Sequence, residues 1–457
     1  LMLGLVVWFL FKVFQGLYLS PISRISGPKL AAITHLNEFY HVCIRNHWGT
    51  YLRSLHGRYG PIVRINPNEV HILDHDFNYI HFNQRNLDKE KWYFQLAPRS
   101  TATITPHAEH RRRRDIILPL FNGRQLRWFE TSSLSSYLTK LDAHLGRFAK
   151  SKEPLNLTHL FWAASNDILA EYIFGTGMGL LDRDDLAAGY DHRTFNATRL
   201  ASVFRQWPLS LLLVVRNVSL TAELNKPFFS PSRPRKSGKS SGGIAQHLYS
   251  NHKLYRDSSV LNPECAEFML GGTEAITYNL AHVFHGLMGN PTVARKLRKE
   301  LDSVEVPQGR IWDDPRVVNL KYLVCLFLAK PFSYRLNDTD AIRFVRQSHE
   351  TVAYKGFTTP PRTTISMTEM FVNWDSTIFP EPEKFDPDRW LSKSPEADRA
   401  RKLAVTFGLG NRTCVAKDLV MSIMTRIVAT AVSRYDVAFW DEGEKDGWGM
   451  GYLRLFP

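Results

Sequence analysis

Cysteine is scarce in this chain. Only four occur among 457 residues, Cys43, Cys265, Cys325 and Cys414, with no CxxC pair and no short spacing between any two. That scatter excludes a disulfide framework and a zinc knuckle and fits a reducing compartment. Acidic residues are also in deficit, 44 against 58 lysines and arginines, which leaves a formal charge of +14 and a pI near 9.5. Such an excess calls for an anionic partner or surface. Nucleic acid is excluded by what is missing. The densest basic run, Arg111 to Arg114, is short, lies in a helical context and has no repeated basic-aromatic array around it. A membrane surface or an acidic protein remains.

Other absences narrow the reading further. Gly238-Lys239-Ser240 has the tail of a phosphate loop, but Arg233 stands where the required glycine would be, so nucleotide binding there is discarded. Long hydrophobic runs are rare. Leu1 to Leu19 is apolar apart from Lys12 and Gln15, ends before Pro21, and is followed by the basic, kinked segment Ser23 to Lys29. A full span takes ~20 apolar residues, and the chain opens on leucine rather than methionine. The expectation is a membrane anchor over residues 1–20 whose start is missing. A signal peptide is not expected, because neither a basic leader nor a small-residue cleavage site is visible.

What is present is enough apolar sequence, 44% hydrophobic with 12% aromatic, to bury one large core. Ile62 to Ile65 and Val70 to Leu73, split by Asn66-Pro67-Asn68, read as a β-hairpin. His107 to Arg114, running on to Phe121, reads as helical; its two histidines, His107 and His110, lack a third ligand for zinc. Residues 230–243 are rich in Ser, Gly, Pro and basic residues and read as a surface loop. A long helix is expected from about Pro263 to Gly289, ended by Asn290-Pro291, with another from Thr292 to Asp302. Within the first, His282 and His285 read as packing and surface residues, and Gly271-Gly272 lie mid-helix. Each such glycine costs ~1 kcal/mol relative to alanine, so something comes close there, either a bound group or a neighbouring helix. Cys414 follows Gly408, Gly410 and Arg412 and precedes an apolar helical run, Leu419 to Val432. Helix N-terminus and arginine both favour a thiolate, and glycines let the backbone approach a flat ligand. An iron ligand fits this position, and so does a buried free cysteine after a turn.

A resemblance separates the two. Phe407, Gly410, Arg412 and Cys414 are similar to the Phe-x-x-Gly-x-Arg-x-Cys pattern of the cytochrome P450 haem-thiolate monooxygenases, with Ala416 where that family more often has glycine. Gly271-Gly272-Thr273-Glu274-Ala275 resembles the family's Ala/Gly-Gly-x-Asp/Glu-Thr motif, His110 and Arg114 its His-x-x-x-Arg helix, and Phe385 to Trp390 its Pro-x-Arg segment. Gly60 to Pro67 and Pro28 to Ala32 are similar to fungal members. The resemblance implies a mainly α cytochrome P450 fold: a helical domain with a small β-rich sub-domain over residues 21–457 and an N-terminal membrane anchor over 1–20. It implies haem b held by Phe407, Gly408, Gly410, Arg412 and Cys414, with Cys414 on the iron, His110 and Arg114 on a propionate, and Gly271 and Gly272 beside haem and oxygen. Glu274 would be a general acid, with Thr273 or Thr277 holding a relay water. Electrons would come from NADPH through NADPH-cytochrome P450 reductase. The substrate would be a lipophilic small molecule of fungal secondary metabolism, hydroxylated or epoxidised by an enzyme in the endoplasmic reticulum membrane with its catalytic domain cytosolic.

Two departures from the family pattern carry alternatives. Ala275 replaces the threonine that helps to deliver protons to oxygen, which opens a haem-thiolate isomerase or peroxygenase reading. Between Tyr322 and Met370 no Glu-x-x-Arg occurs; counted from Tyr322, the two positions fall on Ala329 and Phe332. Arg389 is then expected to lack its ion-pair partners, a loss of ~3 to 5 kcal/mol where such a pair is buried. Val324 to Ile342, with Lys330-Pro331 and Asn337 to Asp340, shows no amphipathic helix pattern. It reads as sequence that replaced the family's helix at a coding boundary, and with it comes a third reading, a non-catalytic or non-functional P450-like product.

Overall fold

The computed structural model describes residues 2–45, 47–84, 86–94, 99–186, 243–306, 309–329, 343–440 and 452–456. Most of these residues are helical. The longest helix, α7 (Ser258–Met288), begins five residues before Pro263, where Asp257 caps it by accepting a hydrogen bond from Ser259 N at 2.8 Å. It lies against α6 (Leu157–Phe174), and glycine is what lets the two helices close: a Cβ on Gly272 would sit 2.7 Å from Leu169 Cδ1. The pair shares one core with α10 (Lys417–Arg434), whose Leu419, Ile423, Ile427 and Val428 are fully buried. A helix apolar on all sides reads as central to a fold, and α10 is enclosed accordingly.

The smaller β region forms at the other side of the chain's core. Strands β1 (Ile62–Asn66) and β2 (Glu69–Ile72) are the expected hairpin, joined through Pro67 and Asn68 with an irregularity between Arg64 and Asn66. With β3 (Asp88–Lys89), β5 (Arg343–Gln347) and β8 (Thr364–Thr368) they make a five-stranded sheet in the order β1-β2-β8-β5-β3, of which only β2 and β8 run parallel. Between β5 and β8 a short hairpin, β6 (Val352–Tyr354) and β7 (Phe357–Thr359), turns on Lys355 and Gly356, both at positive φ, as a two-residue hairpin loop requires. A second sheet orders β4 (Leu155–Asn156), β10 (Tyr452–Phe456) and β9 (Asp436–Phe439).

None of the described helices is long and apolar enough to cross a membrane. The first, α1 (Met2–Phe14), has 13 residues, about 20 Å against a ~30 Å hydrocarbon core, and continues as a π-helical turn over Gln15–Leu19. Its Leu3, Val6, Trp8, Phe9 and Phe11 are exposed. One expectation is corrected here, at Val324. The helix α9 (Lys321–Leu328) runs through it with Tyr322, Leu323, Cys325, Leu326 and Phe327 buried, and the Glu300 carboxylate accepts from Tyr322 N and Leu323 N at 2.8 and 2.9 Å. It lacked an amphipathic pattern because it is buried nearly all round. Lys330-Pro331, Asn337 to Asp340 and the loop 230–242 lie outside the described residues.

Candidate cofactor site

The loop in front of α10 is closed on itself, Cys414 N donating to Phe407 O at 2.8 Å. Gly408 and Gly410 stand at φ +79° and +61°. Sequence reasoning placed these glycines against a flat ligand. For Gly410 the structure gives a different cause: a Cβ there would lie 2.2 Å from Phe82 O, and Gly410 N donates to Asn83 Oδ1 at 2.7 Å, so the glycine admits helix α3 (His75–Gln84). Phe407 lies under the Lys417 ammonium, 5.7 Å from its ring centre. Cys414 is the exposed cysteine of the four, whereas Cys265 and Cys325 are buried, their thiols pushed up to about 12 and about 11. Those two are inert. At Cys414 the surrounding protein still pushes the thiol up, opposed by the Ala416 N–H, Arg114 and Lys417. A thiol that is reachable and faced by two cations suits a metal that completes its deprotonation.

Around this loop four cations converge. Arg114, on α4 (His107–Ile117), donates to Thr413 O at 2.7 Å. Arg412 donates to Ile104 O and Thr105 O at 2.7 and 3.0 Å, and its Nε is buried without a partner. Arg346, on β5, is 6% exposed, and among the described residues its guanidinium donates to Val345 O at 2.9 Å. Lys89, on β3, reaches Ala102 O and stacks 4.3 Å from the Phe94 ring centre. Burial, then mutual repulsion with Arg346, pulls Arg412 down to about 9, and burial pulls Arg346 down to about 10. His110 is pulled down to about 3 by burial and then by Arg412 and Arg114, so it is neutral, and its Nδ1 is buried without a partner. Opposing carboxylates among the described residues are few: Asp88 faces Arg412, Asp115 faces Arg114, and Glu267 of α7 faces Lys89. A half-buried cation cluster with no carboxylate in ion-pair contact among the described residues fits a group that brings two negative charges. Haem, with two propionates and an iron for Cys414, fits the residues present.

The face of α7 turned toward this cluster carries Glu267, Gly271 and Ala275, one turn apart, with the latter two exposed. Gly272 instead serves the contact with Leu169, the helix-packing reading. Thr273 is buried with its hydroxyl unpartnered, and at ~100° per residue it sits about 200° around the helix from Gly271. Thr277 is likewise buried with its hydroxyl unpartnered. The structure therefore does not bring Thr273 onto the Gly271–Ala275 face, whereas Glu274 is half-buried beside it. Arg346 and Lys89 escaped sequence reasoning.

Arg389 donates its guanidinium hydrogens to Asp386 O, Pro380 O, Glu381 O and Lys384 O at 3.0 to 3.3 Å. Carbonyls of its own segment stand in for carboxylates. It borders a cleft of about 240 Å³ lined by Leu328, Ala329, Asn373, Phe379 and Trp390.

A helical fold presenting a cysteine loop at the head of a buried helix, ringed by uncompensated cations and faced by a glycine-bearing long helix, defines a haem-thiolate protein. The chain belongs to the cytochrome P450 family, whose pattern, described as Cytochrome P450, matches residues 26–447. It is similar to the cytochrome P450 monooxygenase TRI4 of Fusarium sporotrichioides, 29% identical over 96% of this chain and 89% of that protein. It is similar also to the cytochrome P450 monooxygenase aflU of Aspergillus parasiticus, at 29% over 95% and 91%. The tryptophan 6-hydroxylase fscE of Fusarium equiseti matches at 27% over 93% and 88%. With its family come a haem iron cofactor and monooxygenase, hence oxidoreductase, activity.

Proposed function

We propose that this chain hydroxylates or epoxidises a lipophilic small molecule of fungal secondary metabolism, using haem b ligated by Cys414. The observation that carries the reading is the accessible Cys414 thiol set beside Arg114, Arg346, Arg412 and Lys89. Haem with a thiolate ligand supplies insertion of one oxygen atom from dioxygen, the sulfur pushing electron density toward the iron. Phe407 to Cys414 hold the ligand loop, and the four cations hold the propionate edge. Glu274 delivers protons to the reaction face of α7 as a general acid. Electrons arrive from NADPH through NADPH-cytochrome P450 reductase, whose acidic face meets the excess of positive charge on this chain. Residues 1–20 anchor the enzyme to the endoplasmic reticulum membrane through the exposed apolar side chains of α1, and residues 21–457 form the cytosolic catalytic domain. The reduced carbon-monoxide difference spectrum tests the haem-thiolate assignment: a thiolate-type Soret band is expected, and its absence from folded protein overturns it.

A second reading rests on Ala275, exposed where a threonine hydroxyl would otherwise stand. An isomerase or peroxygenase turns over without NADPH, reductase and dioxygen together, whereas the monooxygenase requires all three. The third reading, a non-functional product, predicts folded protein that does not retain haem.

A further inference from the structure

The segment 99–105 contributes more acceptors to the cationic end of the site than any other piece of described chain. Arg113 donates to Arg99 O at 3.2 Å, Lys89 reaches Ala102 O with its ammonium and Thr105 O with its backbone N–H at 2.9 Å, and Arg412 takes Ile104 O and Thr105 O. Where this segment lies decides where Lys89 and Arg412 point. It has one anchor on the long helix. Glu264 of α7, 0% exposed, accepts from Thr101 N at 3.0 and 3.1 Å and from Thr101 Oγ1 at 2.9 Å.

We propose that Glu264 is a positioning residue of the haem site: its carboxylate fixes the 99–105 segment to α7 and through that segment sets the placement of Lys89 and Arg412. The carboxylate accepts from both Thr101 donors through charge-assisted bonds, the stronger class. The inference rests on the haem reading for its purpose, not for its geometry.

The position is also pH-sensitive. Burial pushes Glu264 up to about 7, opposed by the bonds from Thr101 and by Arg113 of α4 and reinforced by Glu267 one turn along α7. Tyr255, in the turn Lys253–Arg256, and Cys265 also face it. Of these, the Thr101 bonds are the ones that docking makes, and they favour the ionised carboxylate.

Amide hydrogen exchange over 99–105 in the purified full chain, corrected for intrinsic rates, tests this. Glu264→Ala is expected to accelerate exchange about tenfold, and Glu264→Gln, which keeps one acceptor oxygen, to restore most of the protection. Unchanged exchange in Glu264→Ala, or acceleration shared equally by the β1–β2 hairpin, overturns the proposal. Should Glu264→Ala not fold, Thr101→Val removes the hydroxyl donor alone; it is expected to raise exchange over 99–105, and a wild-type rate overturns the anchor. Transfer of haem to an acceptor apoprotein, faster from Glu264→Ala than from wild type, reads the purpose; equal transfer rates overturn that half. A wild-type chain that shows no thiolate-type carbon-monoxide band defeats the haem reading and leaves the exchange result standing.

Discussion

Arg343 and Arg346 sit on the same strand, three residues apart and therefore on opposite faces, and they live in opposite electrostatic worlds. Arg343 is 3% exposed and held by two carboxylates, Glu38 at 2.8 Å and Glu69 at 2.9 Å, between the rings of Trp48 and Tyr93. Burial opposes its charge, but Glu38 and Glu69 outweigh that and hold its pKa above the ordinary arginine value. Arg346, almost equally buried, has no carboxylate partner among the described residues and is pulled down to about 10. A buried charge that the protein neutralises itself is structural. One that the protein leaves unneutralised, grouped with Arg412, Lys89 and Arg114, is kept for an anion from outside.

The comparison can be broken or sharpened by substitution. The largest effect is expected on the open face: Cys414→Ser should abolish the thiolate-type carbon-monoxide band and NADPH-dependent turnover while the circular dichroism spectrum stays that of the wild type. On the closed face, Arg343→Leu leaves Glu38 and Glu69 buried together and should cost ~3 to 5 kcal/mol, read by urea unfolding. A loss below about 1 kcal/mol would show that the pair is not compensated as described. Arg346→Leu should behave the other way. Stability of the haem-free chain is expected to hold or rise, while haem affinity falls by about tenfold or more in a haem-transfer assay, because one charge-assisted bond is lost.

The smallest effect concerns pH. His110 has a folded pKa of about 3, below its ordinary value of 6.5 because of burial and then Arg412 and Arg114. The folded chain thus binds that proton less readily than the unfolded chain, and stability is lost as pH falls from about 6.5 toward about 3. His110→Gln should shallow that slope in acid unfolding monitored by fluorescence, and an unchanged slope would remove His110 from the cluster.

The two faces also divide what could be read in advance. Cys414, Arg412 and Arg114 were legible because they are adjacent in sequence or lie at helical spacing, where a motif is also a local structure. The hairpin at Asn66-Pro67-Asn68 and the buried helix at Leu419 to Val432 were legible for the same reason. Lys89, Arg346 and Glu264 were not, since their partners lie from tens of residues to more than three hundred away and no periodicity connects them. The roles of the glycines show the limit most clearly. Composition says only that something comes close; that Gly272 admits Leu169 and Gly410 admits Phe82 O depends on which helix crosses there.

By itself, the sequence determined the mainly helical class, the small sheet, the cysteine loop at the head of a buried helix and the family to which they belong, because each is written in short-range pattern. Only the tertiary structure decided which charges are matched and which are left over, that Arg389 is satisfied by carbonyls, that Thr273 turns away from the reaction face, and that Glu264 anchors the 99–105 segment. Charge compensation is set by distance and burial, and both arise only when remote parts of the chain are packed together.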